Sequence, residues 1–315
     1  MNKPFTFWTC LALIVSCNSC YKTQGQMDEI ALQDPSPKRR MNAISLETPQ
    51  DVLEKIYKND ENSQVRAAAV VFMKDKKFLR EIALNKTEKG MSRGVALGKL
   101  NDPQLAMQLA ADKSDQMIRE DAVTYMPISE QRLLEEYAEN DENYSVRYKA
   151  VSRVKNQDIL VRILKNEKHR DIRNEAAKSL NKQDYIMELI DFESDNKVRA
   201  SLVRKLTIIE KLNKLSLNDK YDIIRGISAS KITDQKILEK IIATDPESYP
   251  REKAIINIKN IKIVENIAAA DPQENVRKAA ISVLTNKDIL KSIYKNDPEL
   301  RIRCAADNRL KEISK

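Results

Sequence analysis

The run Val276-Arg277-Lys278-Ala279-Ala280-Ile281-Ser282-Val283-Leu284 decides how this chain folds, because its frame recurs along almost the whole sequence. Val65-Arg66, Ala69, Val70 and Met73 repeat it. Arginine stands at 147, 173, 199, 225, 251, 277 and 303, six successive steps of 26 residues. With small slips the series runs back through Arg119, Arg93, Arg66 and Arg40. Around each arginine an apolar residue usually precedes it, a small residue follows at +3, an aliphatic at +4, and Leu, Met or Ile at +7. A fixed period of this length marks one supersecondary unit stacked many times.

The unit reads as two short helices. Asp288 suits a helix N-cap, and Ile289, Leu290, Ile293 and Tyr294 form one helical face. Asn296-Asp297-Pro298 ends that helix, since proline lacks an N–H and disfavours helix in the residue before it. Ile302, Ala306 and Leu310 mark a second helix. The first half of the unit recurs at Asp158 and at Asp51, and Ile30-Ala31 with Asp34-Pro35 keeps the frame before Arg40. Isolated helices this short are marginal in water, so the core must form between neighbours. The expectation is an all-α solenoid, a superhelix of about eleven 26-residue helix-turn-helix repeats over residues 26–315.

An acid often stands six residues before the arginine: Asp34, Asp60, Asp141, Asp219, Asp245, Asp271 and Asp297, with Glu167 and Glu193 in two further units. Such a carboxylate can cap the second helix, and it can also pair with the arginine of an adjacent unit, whose planar fork suits it. The pattern Asp-turn-Val-Arg-x-x-Ala-Val-x-x-Leu resembles the HEAT repeat, with its ladder of Asp and Arg, in a shortened form. The resemblance covers about 290 of the 315 residues. It implies that Arg40, Arg66, Arg93, Arg119, Arg147, Arg173, Arg199, Arg225, Arg251, Arg277 and Arg303 form a structural ladder, and it says little about function. Two units depart from the frame. Arg93 and Arg119 lack the acid at −6, and Gly90, Gly94 and Gly98 crowd the first of them, so a kink or a looser joint is expected there.

Residues 1–16 read as a signal peptide: one lysine, an apolar run from Phe5 to Val15, then a small residue. Ile14-Val15-Ser16-Cys17 resembles the bacterial lipobox, which implies acylation of Cys17 and cleavage before it. Residues 17–25 would then be a lipid-anchored tether. Several acyl chains hold a protein stably on a membrane where a single chain does not. Of the four cysteines only Cys304 lies in the repeat body, where it is expected to pack as a small apolar residue.

The chemistry that the sequence offers is sparse. A single histidine, His169, sits at a predicted turn, and no nucleophile setting, zinc ligand set, Walker sequence or G-x-G-x-x-G is present. Asp112, Asp115, Glu120 and Asp121 form an acidic group without the spacing of a calcium loop. No catalytic residue, metal or cofactor is expected. Charge is segmented under the net +8: residues 101–150 hold eleven acids against five bases, and residues 197–262 fifteen bases against eight acids. Tyr137, Tyr144, Tyr148 and Tyr185 are candidates for surface recognition.

The expected function is a non-catalytic, protein-binding scaffold, exported and held by lipid in the bacterial envelope at the outer membrane or facing the periplasm. Its protein partner and oligomeric state stay open, and nucleic acid is not expected. HEAT-like repeats also occur in enzymes that attach bilin chromophores and in DNA-alkylation glycosylases. The resemblance therefore leaves an enzyme or nucleic-acid-binding protein as the alternative. A structural envelope spacer without a ligand is a third reading.

Overall fold

The computed structural model describes residues 23–88 and 91–314, and within these the chain is helical without a strand. Twenty-two helices follow one another in pairs. The first (A) helices are α1 (Gln24–Gln33), α3 (Gln50–Asn59), α5 (Lys76–Leu84), α7 (Pro103–Ala110), α9 (Gln131–Asn140), α11 (Gln157–Asn166), α13 (Gln183–Phe192), α15 (Ile209–Asn218), α17 (Gln235–Thr244), α19 (Ile261–Ala270) and α21 (Lys287–Asn296). The second (B) helices, which carry the repeat arginines, are α2 (Pro37–Ala43), α4 (Ser63–Phe72), α6 (Ser92–Leu100), α8 (Gln116–Tyr125), α10 (Tyr144–Val151), α12 (Arg170–Ser179), α14 (Asn196–Lys205), α16 (Asp222–Ala229), α18 (Ser248–Ile255), α20 (Glu274–Val283) and α22 (Leu300–Glu312). This is an all-α solenoid of repeats. The signal peptide and Cys17 lie outside the described residues.

Local sequence sets both ends of each helix. Asn62, Asp75, Asp102, Asp115, Asn143, Asp195 and Asp234 each accept two backbone N–H groups of the helix that follows, which satisfies orphan donors of its first turn. A helices stop where an acid such as Asp60, Asp245, Asp271 or Asp297 turns to extended backbone, three of these directly before proline. The only left-handed residue described is Asn101, which ends α6.

The packing divides into two compact units, Met1–Arg153 and Val154–Lys315. In each, an A helix pairs with its own B helix, and successive B helices lie closely against one another while successive A helices touch less. The core is Leu, Ile, Val and Ala: Leu53 and Ile56 of α3 and Val65, Ala69 and Val70 of α4 are buried where these helices pack, as are Leu290 and Ile293 of α21 and Ile302 and Ala306 of α22. Each fully buried aliphatic side chain contributes about 1.5–3 kcal/mol. Tyr294 departs from the expected stripe. It is exposed because no described helix follows α22 to cover the position, whereas its counterpart Ala268 is buried.

Candidate interaction surface

Inside the array the repeat arginines are consumed by architecture. Arg40 donates from Nε and Nη2 to the two carboxylate oxygens of Asp60 at 2.7 and 2.9 Å, and from Nη1 to the carbonyl of Asp34 at 2.7 Å. Arg225 repeats this with Asp245 at 2.7 and 2.8 Å, Arg251 with Asp271 at 3.2 and 3.1 Å, and Arg277 with Asp297 at 2.9 and 3.1 Å. Arg173 takes Glu193, Arg199 takes Asp219, and Arg66 takes Glu88. Each arginine therefore ties the turn of its own repeat to the acid of the next. The acid is not the B-helix cap. Its second oxygen accepts an N–H two residues on, as Asp60 does from Asn62 at 2.8 Å, and where a side chain caps the B helix it is that later residue, as with Asn62. The carboxylate's hydrogen bond raises the Arg225 guanidinium above its ordinary range, so it stays ionised.

Two further ladders escape a reading by single letters. Glutamine opens α3, α11, α13 and α17, and its amide clamps the loop after the following B helix: Gln183 donates to Lys205 O at 3.2 Å and accepts from Thr207 N at 2.8 Å. Gln50, Gln157 and Gln235 likewise accept from the backbone N–H groups of Lys74, Asn181 and Lys259. Six residues after many of the repeat arginines stands a donor that reaches back to the C-terminal carbonyls of the preceding B helix. Lys99 reaches Val71 O at 2.6 Å, Arg153 reaches Met126 O at 2.6 Å, Asn257 reaches Ser230 O at 2.9 Å and Arg309 reaches Leu284 O at 3.0 Å. Lys231 bonds Val203, Arg204 and Leu206. A cation at a helix C-terminus is favourable because orphan carbonyls and the dipole both point there. Burial lowers the affinity of Lys99, Arg153 and Lys231 for their protons.

The irregular stretch is a joint of different construction. α6 runs unbroken, without the expected kink, and Gly94 and Gly98 bring α8 against its bare backbone. A Cβ on Gly94 would lie 1.7 Å from Asp121 Oδ2, and one on Gly98 would lie 2.5 Å from the Tyr125 hydroxyl. Gly90 lies outside the described residues. Arg93 is 1% exposed and bonds Ala83 O at 3.1 Å and Asp115 at 2.6 Å, but its Nη2 makes no hydrogen bond and lies 3.9 Å from Asp112 Oδ2, which pairs with Lys86 at 3.4 Å. Ser92 Oγ and Arg119 Nε are also buried without a partner, although Arg119 keeps Asp141 at 3.2 Å and Lys113 O at 2.8 Å. Burial, and then the neighbouring Glu120 carboxylate, push Asp121 up to about 6.

The remaining candidates scatter. Tyr144 and Tyr148 stack on α10 with ring centroids 6.2 Å apart. Tyr185 donates to Asp158 at 2.5 Å, with Lys182 over its ring. Tyr137 is half-buried, and His169 is an exposed residue just before α12. Cys304 is exposed rather than packed: the position after the repeat arginine is buried at Ala67, Gly94, Ala200 and Gly226 but exposed at Lys278, so its register alone does not bury it. Arg147 bonds Asp141 O at 2.8 Å and Arg303 bonds Asp297 O at 2.7 Å. No group of metal-ligating side chains occurs among the described residues.

What is left for recognition lies where units differ. In the second unit Ile209 and Ile261 occupy the place that Gln183 and Gln235 hold elsewhere, and with Ile256 they stand more than half exposed on the rim where B helices end and A helices begin. Lys182, Lys205, Lys259 and Lys262 sit on the same rim. The chain matches no protein-family model, and a search of the curated proteins finds no match.

Proposed function

We propose that this chain is a non-catalytic scaffold of short HEAT-like repeats that binds another protein. We further propose that it is exported and held in the bacterial envelope by a lipid on Cys17. The observation that carries the binding reading is the row of exposed isoleucines, Ile209, Ile256 and Ile261, on a lysine-bearing rim. Solvent-facing positions in an otherwise polar ladder carry large apolar side chains there, and such patches rimmed by charge mark protein contacts. The complementary partner is an acidic segment with apolar anchors. Arg40 through Arg303 supply the frame and take no part in recognising this partner.

Photo-crosslinkers placed at 209 and 261 in living cells, followed by mass spectrometry, test the reading. Discrete adducts of one protein from both positions support it, and adducts absent at both positions while Cys17 is acylated would leave the spacer reading. The same digestion reads the N-terminal peptide: a free thiol at Cys17, or an uncleaved N-terminus in the cytosol, removes the anchor.

A further inference from the structure

The first and last described repeats break the frame at two positions, and they break it with opposite charges. The residue before the repeat arginine is buried in every repeat from Val65 to Ile302, but in the first repeat it is Arg39, whose side chain is 76% exposed. A position buried everywhere except in the first repeat faces backward along the array. The residue four after the arginine is buried from Ile44 to Ile281, but in the last repeat it is Asp307, whose side chain is 36% exposed. That position faces forward.

The arginine ladder has the same polarity. Within each unit the arginines reach forward to an acid, from Arg40 to Asp60 through Arg119 to Asp141 in the first and from Arg173 to Glu193 through Arg277 to Asp297 in the second. Among the described residues Asp34 has no such arginine: it accepts from Ser36 N at 2.8 Å and lies 3.7 Å from the exposed Arg39. Arg303 holds its own turn through Nη1 to Asp297 O and Pro298 O, and its Nε and Nη2 meet no described carboxylate. The forward face also exposes Leu300 and Tyr294.

We propose that copies of this chain join head to tail, the last repeat of one seating on the first repeat of the next, with Arg303 taking Asp34 and Asp307 taking Arg39. The occupant follows from continuity with the internal joints: the two open groups are the two halves of the pair that Arg277 and Asp297 make inside the array. Arg39 exchanges Asp34 for Asp307, and Lys311, which donates to Asp307 at 2.6 Å in the single chain, is exposed, so no buried charge is left stranded. The contact is heterologous, each copy using a different surface, and it can repeat. It is independent of the protein partner proposed above.

Sedimentation velocity of the full chain in detergent, over a range of protein and salt concentrations, tests this. The expected result is a concentration-dependent series of masses that shrinks as salt rises. R39D and D307R each weaken association by about tenfold or more, and the combined R39D/D307R chain recovers it, as charge pairs across an interface do. Helicity by circular dichroism checks each chain, and R39Q and D307N stand in should a reversal misfold. A single monomeric species across the range overturns the proposal and makes these polar ends solubilising caps. Association that ignores both single reversals overturns it equally.

Discussion

Substituting Asp121→Asn isolates the electrostatic cost of the joint between α6 and α8. In the fold this carboxyl lies against the Gly94 backbone with no hydrogen-bond partner among the described residues, and its proton affinity is raised to about 6 from an ordinary 3.8. An acid raised in the fold favours the neutral form there. Below about pH 4 both folded and unfolded states hold the proton and nothing is lost, and between about pH 4 and pH 6 the fold progressively bears the cost of ionisation. A shift of about two units corresponds to roughly 3 kcal/mol at neutral pH. Asparagine keeps the shape and cannot ionise. The stability difference between D121N and the parent is therefore expected near zero at pH 4, growing to about 2–3 kcal/mol in favour of the variant at pH 7. Urea denaturation at half-unit pH steps measures it, and the difference between the two chains cancels every other titrating group. Amide exchange in α6 and α8 localises the gain. A difference that stays flat from pH 4 to pH 7 would refute the reasoning, because the penalty would then not be one of charge.

Gly94→Ala is expected to cost about 1–3 kcal/mol by overpacking against Asp121, and G94A in an Asp121→Ala background should cost less, which a double-mutant cycle by thermal unfolding reads. Asp297→Ala strands the buried Arg277 guanidinium and should lower stability by about 3–5 kcal/mol, whereas Arg303→Ala, which loses bonds to the carbonyls of Asp297 and Pro298 but no described carboxylate, should cost only about 1–2 kcal/mol in dilute solution. Gln183→Leu removes a donor and an acceptor contact between Lys205 and Thr207 and should cost about 1–2 kcal/mol, with faster amide exchange confined to that loop.

The arginine frame was legible because one letter recurs at one spacing, and the acid six residues before it narrowed the partner. The third ladder is equally periodic, yet Lys99, Arg153, Lys231, Asn257 and Arg309 share only the ability to donate, so no single letter displays it. The glycine ladder had the same problem in reverse. Gly94 and Gly98 announced a special joint, but the partner they admit, Asp121, stands 27 residues away and is defined only by packing. Cys304 was misjudged because its register does not fix its burial: the same position is buried at Ala67 and Ala200 but exposed at Lys278.

Each joint between neighbouring B helices is a mechanical coupling, and the ladders set its stiffness. At α4–α6 and α14–α16 the B helices are pinned near both ends, by the arginine–acid pair at one and by Lys99 or Lys231 at the other, so neither sliding nor splaying is free. At α6–α8 the second pin is replaced by Tyr125 against Gly98, and the first is a single hydrogen bond from Arg93 to Asp115 that leaves Arg93 Nη2 without one. Tension or bending applied along the first unit will concentrate there, so that joint behaves as the compliant spring of that unit while its better-pinned neighbours transmit load nearly rigidly.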